Sequence, residues 1–488
     1  MEDLKKKLQP FIPGNPEIEM VDEEYSCQIV NILTKEVYGT IELSEDGKFE
    51  GYHAEIDYEE EESVVDISVP AQVKEMLRLA QLFVETFVDR EVHFSVLCEF
   101  AENNYMISYE ERDPKLGLFI PNTGCSLYFT RDAALRSASI GQTDIVLEYP
   151  SLQITKDEAK EILQASGYLQ LSINLPGHGE DRFGEAELIY RAKDEIVGVT
   201  VDGKLDSILE FMGTKEPPVH DLTEVHPSET MEEMLNVQNH LVRKAGEDQS
   251  VIWVDPAVSI NEEEEEAVIS IYNGETGHFS YSNLPFEQNE ELSELSRENM
   301  QERAVEYLEL VVGNVHEKYV LEDPDDFSSE QDFLKNIEET SDGEEIEVVV
   351  HDQGEEWEDY PEAEPTVMFR FYRVHQEMRL LGYDAHVHIG VYSGIIRECS
   401  ITFLTNKQIE SLKQLSTVPS FSMKVAEQRF FNELEMTLVR AVKSLDDPKT
   451  YTLSYLVEFP ETGGHIEKMN AHTGVVSYVD TGIIKESE

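Results

Sequence analysis

A chain of 488 residues has room for about three domains of the usual ~150 residues, so core size is not a constraint. Against 38 Lys and Arg stand 101 Asp and Glu, a formal net charge of −63. That field repels nucleic acid phosphates and anionic lipid headgroups and favours a basic protein or a cation as partner, whereas a hydrophobic content of 40% is too high for a disordered acidic chain and makes the charge a coat on a folded protein.

The N-terminal segment "MEDLKKKLQPFIPGNPEIEM" has no apolar stretch of the kind a secretory leader needs, and no apolar run in the chain approaches the ~20 residues of a membrane span. Cys27, Cys98, Cys125 and Cys399 are scattered without a CxxC pair, which argues against a disulfide framework or a thiolate zinc site. These features predict a soluble cytoplasmic protein with no membrane insertion.

The first β-hairpin is predicted in "GTIELSEDGKFEGYH", turning at Asp46-Gly47, because glycine tolerates the positive φ of a tight turn and the flanks alternate polar and apolar. The acidic run Glu59 to Glu62 follows, then an amphipathic helix over Val69 to Arg90 with Val73, Met76, Leu77, Ala80, Phe83, Val84, Phe87 and Val88 at helical spacing. A second hairpin is predicted in "GCSLYFTRDAALRSASI" (Gly124 to Ile140). Thr155 with Glu158 three residues later opens a capped helix, and a strand of the form Leu-x-Tyr (Leu188 to Tyr190) leads to a third hairpin at Asp202-Gly203.

The Pro-rich "GTKEPPVHDLTEVHPSE" (Gly213 to Glu229) discourages helix and strand alike, and the same order then begins again. A hairpin turns at Thr276-Gly277, an amphipathic helix lies within Asn289 to Val315, and a hairpin follows in "AHVHIGVYSGIIRECSI" (Ala385 to Ile401). That hairpin matches residues 124 to 140 without a gap and shares Arg136/Arg397, Ser139/Ser400 and Ile140/Ile401. A capped helix from Ser422, a strand Leu453 to Tyr455 and a hairpin at Thr473-Gly474 close the series. Six hairpins in a twofold order predict an internal duplication: an α+β protein of tandem small modules, each a helix packed on an antiparallel sheet, in two homologous halves. Residues 1–222 and 223–488 form the halves, with three modules each and an acidic insertion at 322–365 that reads as a solvated loop.

The stretch "TLSYLVEF" followed by "MNAHTGVVSYVDTG", with Tyr455, Asn470, Ala471, Thr473, Gly474 and Val475, resembles the PepSY module. The preceding Pro-Ser and helix ("YPSLQITKDEAKEIL", "VPSFSMKVAEQRFF") resemble the YcdB/YcdC repeat family of Gram-positive bacteria. The first half departs from the pattern, with "VDGKLDSI" in place of the Thr-Gly turn, and the usual leader of the family is missing. The resemblance implies helix-on-sheet modules and a non-enzymatic binding or regulatory role. It supplies no catalytic residue to carry over.

Motifs for chemistry are sparse. No phosphate-binding GxxxxGK[ST], GxGxxG after a strand, HExxH or GxSxG occurs, so no enzyme activity and no cofactor are expected. The metal candidate is the pair His386 and His388, whose period-two spacing puts both imidazoles on one face of a strand, with Asp384 or Glu398 as an oxygen ligand. The matching strand of the first half carries Cys125 and Leu127 there. A metal-dependent enzyme or hydrolase near His386 and His388 is therefore the alternative to a docking protein. The runs Glu59 to Glu62 and Glu262 to Glu266 lack the interleaved turn of a calcium loop and predict weak, diffuse divalent cation binding. His178, in "LPGHGEDRFGE", is a loop histidine beside glycines. Crowded carboxylates predict a fold stabilised by salt and, through retained protons, by mild acid.

Overall fold

The computed structural model describes residues 2–12, 14, 16–22, 27–44, 47–55, 71–101, 104–175, 185–215, 217–246, 250–257, 267–286, 292–322, 364–458 and 464–480. The acidic runs at 59–62 and 262–266, His178, and residues 323–363 of the insertion lie outside them.

Four strands, β1 (Ile18–Asp22), β2 (Cys27–Asn31), β3 (Val37–Leu43) and β4 (Phe49–Ala54), follow a short helix α1 (Glu2–Leu8) and precede helix α2 (Val73–Phe87). After α2 come β5 (His93–Ala101), β6 (Asn104–Arg112), β7 (Phe119–Thr130) and β8 (Leu135–Ile140). The eight form one antiparallel sheet in the order β1-β2-β3-β4-β8-β7-β6-β5. Helix α2 buries Met76, Leu79, Ala80 and Phe83 in a core with Ile41, Tyr52, Leu97, Ile107 and Leu127. Alternation along each strand puts these residues on one face of the sheet. Phe83 sits edge-on to Phe11 and Phe49 at ring separations of 5.5 and 5.8 Å, geometry that aromatic quadrupoles favour.

The chain then passes through β9 (Val146–Leu147), helix α3 (Lys156–Ala165), β10 (Leu169–Asn174), β11 (Glu187–Ala192), β12 (Ile196–Thr200), β13 (Leu205–Ser207), the short helix α4 (Ile208–Phe211) and β14 (Val219–Asp221). β14 lies within the Pro-rich segment expected to form neither helix nor strand. Its three residues follow Pro217-Pro218 and pair with β19 (Tyr319–Glu322), the two prolines standing just outside the ladder, where their missing N–H groups are not needed.

A second sheet repeats the topology of the first. The short helix α5 (Met231–Met234) leads into β15 (Val242–Ala245), β16 (Val251–Val254), β17 (Ile269–Asn273) and β18 (Gly277–Ser282). Helix α6 (Arg297–Val312) is followed by β19, β20 (Thr366–His375), β21 (Met378–Gly390) and β22 (Ile396–Thr402), and the strand order runs β15-β16-β17-β18-β22-β21-β20-β19. Helix α6 buries Met300, Ala304, Val305, Tyr307 and Leu308 in a core with Phe369, Phe371, Ala385, Val387, Ile389 and Cys399. In each half, two of the expected modules are thus continuous, because β4 pairs with β8 and β18 with β22.

The remaining elements are helix α7 (Asn406–Gln414), helix α8 (Met423–Glu433), β23 (Glu435–Ser444), β24 (Asp447–Glu458), β25 (Gly464–Asn470) and β26 (Val476–Asp480). They do not form a sheet by themselves. β10 and β11 of the first half continue into β25 and β26, and β13 and β12 continue into β24 and β23. One core joins Leu163, Leu188, Tyr190 and Val199 to Phe430, Leu453, Tyr455 and Met469. All six expected hairpins are present. Gly474 and Gly203 take φ of +73° and +90° at their tips, a conformation that costs glycine nothing.

Both described ends of the insertion are buried and ion-paired. Glu322 lies 3.5 Å from Arg370. Glu364, its side chain 0% exposed, pairs with Arg397 at 2.6 Å and accepts hydrogen bonds from the backbone N–H groups of Tyr392 and Ser393 and from Ser393 Oγ. Burial pushes the Glu364 carboxyl up, but the Ser393 and Arg397 donors outweigh it and hold it below the usual range.

Candidate functional site

The face of the second sheet opposite α6 carries the two histidines singled out by sequence. Inward-facing Ala385, Val387 and Ile389 are buried, so His386 and His388 project together from the opposite face of β21, both half-buried. Their cross-strand neighbours are Arg370 and Ser400 for His386, and Met368 and Glu398 for His388. Phe279 stands beyond Ser400, and Tyr281 beyond Glu398. The face therefore mixes imidazole, guanidinium, carboxylate and apolar groups.

Its charges are largely matched. Asp384 receives Arg370 at 2.7 Å and Arg379 at 2.9 Å, and the Arg379 guanidinium lies 3.3 Å over the Tyr372 ring. Burial and the neighbouring Arg370 cation lower the pKa of His386, against the pull of Asp384. A guanidinium beside an imidazole repels an incoming metal ion as it repels a proton. Among the described residues no group of three or more His, Cys, Asp or Glu side chains is placed to hold a metal ion.

A serine and a histidine do meet elsewhere, inside the second core. His278 Nε2 and Ser280 Oγ are 3.1 Å apart, and Ser280 Oγ lies 2.7 Å from the Tyr307 hydroxyl. Ser280 and Tyr307 are 0% exposed and His278 3%. A nucleophile needs access for its substrate, and this one sits between helix and sheet. Burial lowers the His278 pKa to about 4, keeping the ring neutral, and His278 Nδ1 is buried without a hydrogen-bond partner in the structure.

A groove of about 460 Å³ opens beside the first turn of α3, lined by Leu152, Ile154, Lys156, Met436, Leu438 and Tyr455 among others. Its walls come from both halves. Thr155 forms the expected capping box with Glu158 at its rim.

A buried ion pair joins the first sheet to the last elements. Arg440 and Asp113, both side chains 0% exposed, are 2.5 Å apart, and Arg440 Nε donates at 2.8 Å. The Asp113 carboxylate also accepts from the Lys115 and Leu116 N–H groups and the Tyr149 hydroxyl. Sequence reading missed this pair, whose members lie 327 residues apart. For the other buried pair a signal existed: Arg397 is the arginine shared with Arg136 in the gapless match, and it is the residue that clamps Glu364.

No family model matches the chain, and no curated protein matches it. Among solved structures it is similar to the Bacillus megaterium YpeB C-terminal domain, with a TM-score of 0.24 and 17% identity, over 41% of this chain and 87% of that one. Among the described residues no helix is long and apolar enough to cross a membrane.

Proposed function

We propose that this is a non-catalytic binding or regulatory protein of PepSY/YcdB-like type, which docks a basic protein through its sheet faces or edges. The observation that carries the reading is the excess of 101 carboxylates over 38 Lys and Arg on a folded chain. Such a surface raises the local concentration of a cationic partner and its association rate. Two features support the docking mode. Each large sheet packs its long helix on one face, and the first sheet ends in β1 and β5, edges of the kind that accept an added strand.

The test is capture of partners by the purified protein at low salt, followed by titration of each captured protein. A basic protein that binds saturably, with affinity falling as sodium chloride rises from 50 to 500 mM, is the expected result. Captured proteins without basic character, or binding that never saturates, would remove the proposal. Stoichiometric zinc in the purified protein, lost in a His388→Ala variant, would replace it with the metal-dependent alternative.

A further inference from the structure

We infer that the two halves of the chain are each other's binding partners, exchanged strand for strand, and that the covalent link at residues 213–218 is not needed to hold them together.

The pairing is reciprocal. The first half's hairpin β10–β11 pairs through Ile189 and Tyr190 with Asn470 and Met469 of β25, while β24 of the second half pairs through Ser454, Tyr455 and Leu456 with Thr200, Val199 and Gly198 of β12. Side chains repeat the exchange in both directions. Tyr190 donates its hydroxyl to the Phe421 carbonyl at the entry of α8 (2.8 Å), and Tyr455 donates to the Ile154 carbonyl at the entry of α3 (2.9 Å). Asn470 Nδ2 donates to Glu187 at 2.8 Å, the Ala471 N–H to the Leu188 carbonyl at 2.7 Å, and Lys160 Nζ to the Leu434 carbonyl at 2.6 Å.

The backbones approach so closely that a Cβ on Gly198 would lie 2.2 Å from the Tyr455 carbonyl oxygen. Within its own half, each of the hairpins β10–β11, β12–β13, β23–β24 and β25–β26 lacks a flanking hairpin of the same four-strand set. A lone two-stranded ribbon is marginal in water. The apolar faces of these four ribbons close into one core only when both halves contribute. Since both halves are acidic, their mutual charge opposes the union, so strand pairing and apolar burial must hold it.

The experiment uses the full chain with a protease recognition sequence inserted after Thr214, cut after purification. The two fragments should co-elute in gel filtration at micromolar concentration, at 50 mM and 1 M sodium chloride alike, and melt in one transition. Fragments that separate under native conditions overturn the inference. In the cut protein, Gly198→Val should weaken the union roughly 10- to 100-fold, the effect of overpacking a closed seam. The paired variant Asp113→Leu/Arg440→Leu removes the buried ion pair that also joins the halves but leaves the β12–β24 and β11–β25 pairing in place, and it should leave the fragments joined. Gly198→Val fragments as tightly held as the parent, with near-ultraviolet circular dichroism of the uncut variant unchanged, also overturn it.

Discussion

Arg440 and Asp113 show how one side chain can decide whether two sheets stay together. Both are fully buried, and each would be an uncompensated charge without the other. Replacing Arg440 by Leu should cost about 3–5 kcal/mol in urea unfolding, the usual penalty for stranding a buried ion, while the double replacement Asp113→Leu/Arg440→Leu should cost distinctly less. Burial alone would raise the Asp113 pKa, but the Leu116 N–H, Arg440 and the Lys115 N–H outweigh it and lower it. A carboxyl depressed in the folded state contributes stability that is present above its unfolded value near ~3.9 and is lost as pH falls through the folded one. His278 acts in the same direction in a higher window. Its folded pKa of about 4 against the ordinary 6.5 means that the unfolded chain takes up the proton first, so stability declines from pH 6.5 down to 4. A shift of that size corresponds to roughly 3 kcal/mol. Melting curves of a His278→Gln variant across this range should show a shallower pH slope than the parent.

Helix starts differ at the scale of elements. Thr155 accepts the Glu158 N–H and Glu158 reaches back to the Thr155 N–H, closing the capping box. Ser422 was expected to cap α8 in the same way, yet it makes no side-chain cap hydrogen bond. The position three residues on holds Val425, which has no oxygen to complete the box. Thr155→Ala should therefore lower stability by about 1 kcal/mol and Ser422→Ala by roughly a few tenths, a contrast that chemical denaturation resolves. Thr405 with Gln408, and Thr230 with Glu233, make complete boxes that the reading by sequence passed over. Both carry the Thr-x-x-Glu/Gln signature plainly.

The charge of −63 acts on the whole molecule through self-repulsion, whose range shrinks from ~30 Å at ten millimolar salt to ~8 Å at physiological ionic strength. The melting temperature should rise as sodium chloride is added over that range, and a flat response would mean that bound ions already neutralise the surface. Mild acid, expected from sequence to help, is now expected to hurt. Among the described residues, Glu19, Glu75, Asp113, Glu158, Asp202 and Glu364 have lowered pKa values and only Glu110 and Glu306 raised ones. At these positions arginines, lysines and cap donors at hydrogen-bond distance outweigh the diffuse repulsion of distant carboxylates, although solvent screens the exposed Glu19, Glu75, Glu158 and Asp202, leaving buried Asp113 and Glu364 the larger share. Melting temperature should accordingly fall from pH 6.5 to 4 through His278, and more steeply below about pH 4, where these carboxylates take up protons in the unfolded chain first.

The hairpins, the amphipathic helices and the twofold order of elements were determined by sequence, since turn glycines and periods of 2 and 3.6 act over a few neighbouring residues. Met76, Ala80 and Phe83 were placed on the buried face of α2 by spacing alone. His386 and His388 were placed on one strand face in the same way. What surrounds that face, with Arg370 beside His386, depends on β20, which reaches β21 only through the hairpin at Gln376 and Glu377. The exchange of β12 and β25 between halves was decided by tertiary structure, because any alternating apolar strand can pair with any other and local pattern does not name the partner. The Asp113–Arg440 contact depended on it too. Where 101 carboxylates compete for 38 Lys and Arg, only the folded path of the chain determines which of them meet.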